Sequence, residues 1–155
     1  MPTSISDISI APIGADLTLD NLKLQVLRGI EKAHRVDKKL APGVALAAGE
    51  WGVLGSDSTV SRPTATPSAA SYLCFSGTDR YDSKATGQVT LFMASPLIVK
   101  SSFFDAGENY EPGDALTVKD LGGGEAGVTK AGLSDPVLAK VVEQLDGALV
   151  YQVLA

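Results

Sequence analysis

The sequence predicts a mainly β protein, and three observations carry the prediction. From Val44 to the end of the chain, apolar and polar residues alternate in short runs that Gly, Pro, Asp and Ser separate, a pattern typical of strands. About nine such runs can be counted, spaced as all-β folds space them. The last two runs, PVLAKVVEQL and ALVYQVL, flank Asp146-Gly147, a dipeptide that favours a tight type I′ hairpin turn.

Both faces of some strands are apolar. In QVTLFMA, Val89, Leu91 and Met93 point to one side, whereas Phe92 and Ala94 point to the other. In a sheet with one solvated face, only one side of each strand needs to be apolar. It indicates strands in a closed barrel or at a subunit interface.

One segment before these strands favours a short helix. In DNLKLQVLRGIEKAHRVDKKLAPG, apolar residues recur at helical spacing after a possible N-cap at Asp20, which predicts a helix over about residues 21 to 35. Gly29 weakens that helix, and Leu22, Leu24 and Val26 also alternate as a strand would. Helix and strand both stay open for this segment.

The chain therefore divides into three parts. Residues 1–19 are predicted to be an extended N-terminal arm, 20–43 a possible helix and linker, and 44–155 a β domain. Within the β domain, residues 55–72 are rich in Ser, Thr, Pro and Ala, so a surface loop is expected there, one that could dock against a neighbouring subunit.

Charge and cysteine content exclude several classes of function. The net charge is -5, and six of the thirteen Lys and Arg residues lie between Lys23 and Lys39. A mostly acidic surface repels nucleic acid, so no nucleic-acid partner is expected. Cys74 is the only cysteine, which excludes a disulfide within the chain. Neither a signal peptide nor a membrane span is expected from the sequence.

A glycine-rich stretch matches the spacing of a dinucleotide-binding loop at Gly122, Gly124 and Gly127. Such a loop must open into a helix whose N-terminus binds pyrophosphate. Here Gly132 and Pro136 follow too soon for a useful helix. A hairpin turn is the favoured interpretation.

An acidic segment precedes it. Asp105, Glu108, Glu111 and Asp114 recur at every third residue and could gather around a cation, but they match no calcium-loop pattern. A solvated loop is favoured, with Pro112-Gly113 turning the chain into the next strand.

Candidate catalytic groups are few. His34 is the only histidine, which excludes a multi-histidine zinc site. A nucleophile pair of Cys74 and His34 is conceivable, although Cys74 lies in the strand-like run SYLCFS, where a buried, unreactive thiol is expected. Trp51 could stack on a sugar or anchor the core, and its place at the start of a strand favours the anchor. No enzyme, cofactor or metal site is predicted.

The order of the motifs resembles the head decoration, or capsid cement, proteins of tailed bacteriophages. The resemblance covers residues 44–155 and rests on LAAGEWGVL, GQVTLFMASPLIVKSSFF, YEPGDALTVKD, GVTKAGLSDPVLAKVVEQ and the final Asp-Gly hairpin. Relatives often have Gly-Asp before the proline, where this chain has Ser134-Asp135-Pro136. These are turn-and-strand motifs rather than catalytic ones.

The resemblance implies a non-enzymatic virion protein with a compact β-barrel-like or β-tulip-like fold, commonly a homotrimer. It would be made in the host cytoplasm and bind the major capsid protein on the outer surface of the head, with no membrane partner. The arm would contact the shell, and its alternating isoleucines could add a strand there: Ile5, Ile8, Ile10 and Ile13. The alternative is a tail or head-fibre module that recognises a host glycan through Trp51, Tyr72, Tyr81 or Tyr110.

Overall fold

A computed structural model describes residues 24–75, 87–93, 96–122 and 125–154. These residues form strands joined by turns, with a single 3-10 helix at Ile30–Lys32 in the described part of the chain. The strands, in chain order, are β1 (Leu24–Arg28), β2 (His34–Leu40), β3 (Trp51–Leu54), β4 (Thr59–Ser61), β5 (Ser71–Leu73), β6 (Gln88–Met93), β7 (Ile98–Ser101), β8 (Ala115–Gly122), β9 (Glu125–Lys130), β10 (Ala139–Leu145) and β11 (Ala148–Val153). The mainly β prediction is confirmed.

The strands form two sheets. The six-stranded sheet has the order β1-β7-β11-β10-β8-β9, and the five-stranded sheet has the order β5-β3-β4-β2-β6. Every pairing is antiparallel except that of β2 with β4. Nine of the eleven strands lie after Val44, in agreement with the alternating pattern of the sequence.

Each sheet curls until its edges approach each other, but neither closes into a barrel through a continuous ladder in the described residues. In the five-stranded sheet a bridge from Cys74 to Leu91 links the end of β5 to β6. In the six-stranded sheet, Phe104, just after β7, bridges Val128 in β9, and the Asp105 amide donates to the Val128 carbonyl at 2.9 Å.

The core lies between the two sheets. Trp51, Leu73 and Phe92 reach into it from the five-stranded sheet, and Val99 and Tyr151 from the six-stranded sheet. The opposite face of the five-stranded sheet buries a second, smaller cluster, composed of Leu40, Leu46, Val60, Cys74, Val89 and Leu91. The five-stranded sheet is therefore apolar on both faces, as the run QVTLFMA predicts.

The prediction of an α-helix over residues 21 to 35 is wrong for the part of this segment that the structure describes, which begins at residue 24. β1 pairs with β7 and places Leu24 and Val26 toward the core, so the alternating pattern outweighs the helical one. Gly29 has a φ of 92° and separates β1 from the 3-10 helix. A Cβ at Gly29 would come within 2.6 Å of the Pro96 carbonyl oxygen, so this close approach requires glycine.

The prediction of a surface loop over residues 55–72 is only partly correct. β4 and the start of β5 fall inside it, and Val60 is fully buried. The Asp57 carboxylate accepts hydrogen bonds from the Thr59 amide at 3.0 Å and the Thr59 hydroxyl at 2.8 Å. This Asx-type turn reverses the chain early enough for a short strand to form. Residues 62–70 are irregular, and there the Thr64 carbonyl accepts a bond from the Asp120 amide of β8.

The final hairpin is confirmed, although its turn differs from the expected type. β10 ends at Leu145, β11 begins at Ala148, and the two residues pair with each other. Of the two loop residues only Gly147 has a positive φ, at 74°. A type I′ turn needs positive φ at both, so that assignment is wrong.

We expect Gly127→Ala to destabilise the fold by about 1 to 3 kcal/mol, because a Cβ at Gly127 would overlap the backbone carbonyl of Phe103, which cannot move without breaking the bridge to β9. Urea unfolding monitored by tryptophan fluorescence measures the change. Gly107→Ala is the control, since its Cβ would meet only the end of the Asp105 side chain, at 3.3 Å. Equal stability of the two variants would contradict the tight approach of β9 to Phe103.

Candidate binding surface

Glu50 is buried, with 5% exposure, and its carboxylate accepts several hydrogen bonds. Its Oε1 accepts from the Ala47 amide at 2.9 Å. Its Oε2 accepts from Arg62 Nη2 at 2.9 Å and from the Ala126 amide at 3.0 Å. Arg62 in turn donates to the Ala45 carbonyl at 3.0 Å. A carboxylate that accepts bonds from a guanidinium and from two backbone amides holds these groups together and has a structural role.

The fold brings these groups together from three places in the chain. Glu50 ends the loop that leads into β3, Arg62 follows β4, and Ala126 is the second residue of β9. The Glu50 carbonyl also accepts from the Cys74 amide at 2.8 Å, which fixes the backbone at the same point. Glu50 thus joins the five-stranded sheet to the six-stranded one.

Trp51 is an anchor in the core, as expected, and does not form a sugar platform. It is 1% exposed, and its indole Nε1 donates to the Tyr151 hydroxyl at 3.2 Å. The two rings lie 6.3 Å apart between centroids. Complete burial raises the pKa of the Tyr151 phenol.

Cys74 is a buried thiol within the second apolar cluster. Burial, and secondarily the negative charge of Glu50, raise the pKa of this thiol well above its usual range. His34 lies at the exposed beginning of β2, where it pairs with Met93. A thiolate nucleophile activated by His34 is therefore incompatible with the position of Cys74.

The described residues of the glycine stretch belong to β8 and β9, which pair as antiparallel strands. β8 runs to Gly122, which has a φ of 86°, and β9 begins at Glu125. The Gly122 amide donates to Asp120 Oδ1 at 2.9 Å. Gly127 lies within a strand rather than at the start of a helix, so the dinucleotide-loop interpretation is wrong.

The acidic segment uses two of its carboxylates to shape turns. Asp105 accepts from the Gly107 amide at 3.0 Å and the Thr129 hydroxyl at 3.2 Å. Asp114 accepts from the Glu111 amide at 2.9 Å, closing the Pro112-Gly113 turn. In the described parts of the chain, no group of three or more His, Cys, Asp or Glu side chains could hold a metal ion.

Tyr110 is also an interior residue. Its hydroxyl donates to the Asp105 carbonyl at 2.7 Å, and its ring packs edge-on against Phe104. Burial, with the nearby Asp105 charge, raises the pKa of Tyr110 to about 12. Tyr72 is half-buried, whereas Tyr81 lies outside the described residues. A glycan platform built on Trp51 and Tyr110 is therefore absent.

The exposed apolar side chains mark a different kind of site. Six large ones are exposed in the described residues: Leu27, Leu133, Val137, Val142, Leu145 and Leu154. Leu133 stands out because its exposure, 111%, equals or exceeds that of a leucine in an extended peptide. Single exposed apolar residues are common, but a completely exposed leucine on a fixed turn is a candidate contact point.

The turn at residues 132–135 holds Leu133 in place. The Gly132 amide donates to Asp135 Oδ2 at 2.8 Å, and the Asp135 amide donates to the Gly132 carbonyl at 3.2 Å. Asp135 therefore shapes this turn, and Pro136 restricts the chain directly after it.

Two further apolar residues lie in the same part of the molecule. Val137 follows the turn, and the Leu154 amide donates to the carbonyl of the neighbouring Leu138 at 3.0 Å, so that Leu154 lies beside this segment. We call Leu133, Val137 and Leu154 the turn surface.

Sequence reasoning missed Leu133, Glu50 and Arg62. A Gly-x-x-Asp-Pro pattern is recognisable turn chemistry, so the leucine inside it could have been identified as displayed. The partners of Glu50 lie 12 and 76 residues away, at Arg62 and Ala126, and carry no local signal. The predicted capsid contacts of the arm, Ile5, Ile8, Ile10 and Ile13, lie outside the described residues.

No family model, curated protein or solved structure matches the chain. Within the part of the chain that the structure describes, none of the helices has the length and apolar character needed to span a membrane.

Replacement of Glu50 by alanine should destabilise the protein by about 2 to 3 kcal/mol, because the buried Ala126 amide would lose its acceptor and the Arg62 guanidinium, which is 31% exposed, would lose its carboxylate partner. Chemical unfolding of E50A measures the loss. The control is Lys130→Ala, which removes a half-exposed pair with Asp114 at 3.6 Å and should cost less than about 1 kcal/mol. Similar losses in both variants would rule out a special role for Glu50.

The Cys74 thiol should not react with a thiol reagent such as DTNB in the native state, because it is buried and its pKa is raised. We expect complete labelling in 6 M guanidinium chloride, which exposes the side chain. Rapid native labelling at neutral pH would contradict the burial of Cys74 and would reopen a chemical role for it.

Proposed function

We propose that this protein is a capsid decoration protein that binds the outer surface of a phage head at junctions between copies of the major capsid protein and stabilises the shell. The observation that carries the proposal is the set of exposed apolar side chains on strands and turns of a firmly hydrogen-bonded β body. The order of sequence motifs supports it independently.

The reactive side chains support binding rather than chemistry. Glu50 is saturated by donors, Cys74 is buried, and Asp105 and Asp114 are engaged in turns. Catalysis needs reactive groups that a substrate can reach, and a cement protein needs none.

A decoration protein stabilises a shell by adding contact area across the boundaries between capsid subunits. Anything that binds only the assembled state raises the free energy needed to take that state apart. The symmetry of a shell repeats each contact many times, so a modest contact at each site has a large total effect. A homotrimer and shell contacts from the arm, residues 1–19, are part of this proposal.

The glycan-binding alternative loses its main support. Trp51 and Tyr110 are buried in the core, so two of the four aromatic rings that could stack on a sugar are inaccessible. Of the other two, Tyr72 is half-buried and Tyr81 lies outside the described residues.

The copy number of the chain in purified particles tests the proposed function. Quantitative gel analysis against the major capsid band should find hundreds of copies per particle, at a simple ratio to the capsid protein. A few copies per particle would instead indicate a tail or fibre component. Absence from purified particles would overturn the proposal.

A further inference from the structure

Leu133 combines complete exposure with a position in a hydrogen-bonded turn. Its side chain is as exposed as a side chain can be, yet its backbone belongs to a turn closed by two hydrogen bonds and followed by Pro136. An apolar residue on a flexible loop loses conformational entropy when a partner binds it. On this turn the two hydrogen bonds already order the backbone, which reduces the backbone part of that cost.

We propose that Leu133 is the apolar anchor of the turn surface and inserts into an apolar pocket of the major capsid protein, with Val137 and Leu154 at the margin of the contact. This assignment rests on the proposed function and adds to it a contact site apart from the N-terminal arm.

The small area of the turn surface favours a contact with the capsid shell over a contact with a second copy of this chain. A stable dimer buries about 800 Å² on each partner. Three aliphatic side chains, two of them more than half covered, offer far less than that. A small anchor is sufficient on a shell, where other contacts of the same molecule add to it.

The charges of the segment indicate the chemistry of the pocket. Residues 131–138 contain a single charged side chain, Asp135, and its carboxylate accepts the bond from the Gly132 amide. The nearby Lys130 lies 3.6 Å from the Asp114 carboxylate. The contact at Leu133 is therefore apolar, and its strength should depend little on salt.

The test is equilibrium binding of the purified full-length chain to heads that lack it, isolated from particles whose gene for this protein has been deleted. Leu133→Ser should weaken binding about 10- to 100-fold, as expected for loss of one buried leucine side chain. The loss should be the same at 50 mM and 500 mM NaCl.

Leu145→Ser is the matched control. Leu145 is also exposed, but it lies at the opposite end of β10, about 20 Å away along the strand. Its replacement should change binding less than about 2-fold. Leu133→Ser should unfold at the same urea concentration as the original protein, because the Leu133 side chain is completely exposed; Leu145→Ser should stay folded at a somewhat lower midpoint, because the Leu145 side chain is only 36% exposed.

Asp135→Ala tests separately whether the hydrogen-bonded turn contributes to binding, because this variant keeps Leu133 but removes the bond from the Gly132 amide. We expect an intermediate loss of affinity. Unchanged binding by this variant would overturn the argument from rigidity.

The outcomes separate this inference from the proposed function. If the unaltered chain does not bind heads, the proposed function fails and the inference fails with it. If the chain binds and L133S binds equally well, only the inference is wrong. If L133S instead changes the oligomeric state in sedimentation velocity, the occupant is a second copy, and the assignment to the capsid is overturned.

Discussion

The Glu50 carboxylate accepts hydrogen bonds from three separate parts of the chain, and the relation between the two sheets depends on it. Ala47 lies in the loop before β3, Arg62 follows β4, and Ala126 belongs to β9. A buried carboxylate is costly unless it is fully paired. All three donors are in place in the folded protein, and since the Ala126 amide belongs to the six-stranded sheet, the carboxylate adds a polar contact between the sheets to their shared apolar core.

The packing next to Glu50 follows from that arrangement. Trp51 comes directly after it and lies against Tyr151 of β11, so the anchored carboxylate and the largest core side chain are adjacent in sequence. On the other sheet, Gly127 follows Ala126 and allows the Phe103 backbone to approach β9. The Trp51–Tyr151 contact therefore lies between the sheets next to the Glu50 network, whereas the approach of Phe103 to Gly127 lies within the six-stranded sheet.

The sequence predicts the strands well because their signal is local. Period-two alternation and turn residues lie within a few positions of each other, and β6, β10 and β11 form where that pattern occurs. The segment from Leu24 to Arg28 shows the limit of such reasoning. Its helical and strand patterns overlap, and pairing with the distant β7 decides between them.

The candidate site was harder to predict than the fold. Burial of Cys74 and Trp51 was foreseeable from their strand context. The Glu50 network was not, since its donors come from residues far apart in the chain. Turn chemistry around Leu133 can be read from the sequence, but its complete exposure depends on how the β9–β10 connection leaves the body of the protein.

The Glu50 network and the turn that carries Leu133 are connected through β9. β9 is held at Ala126 by Glu50, and the chain leaves β9 through Ala131, whose amide donates to the Ala115 carbonyl of β8 at 3.0 Å. The turn that carries Leu133 begins at the next residue. Glu50 thus holds the beginning of β9, and the turn that carries Leu133 follows the other end of the same strand, where pairing with β8 and the bond from Ala131 to Ala115 hold the backbone.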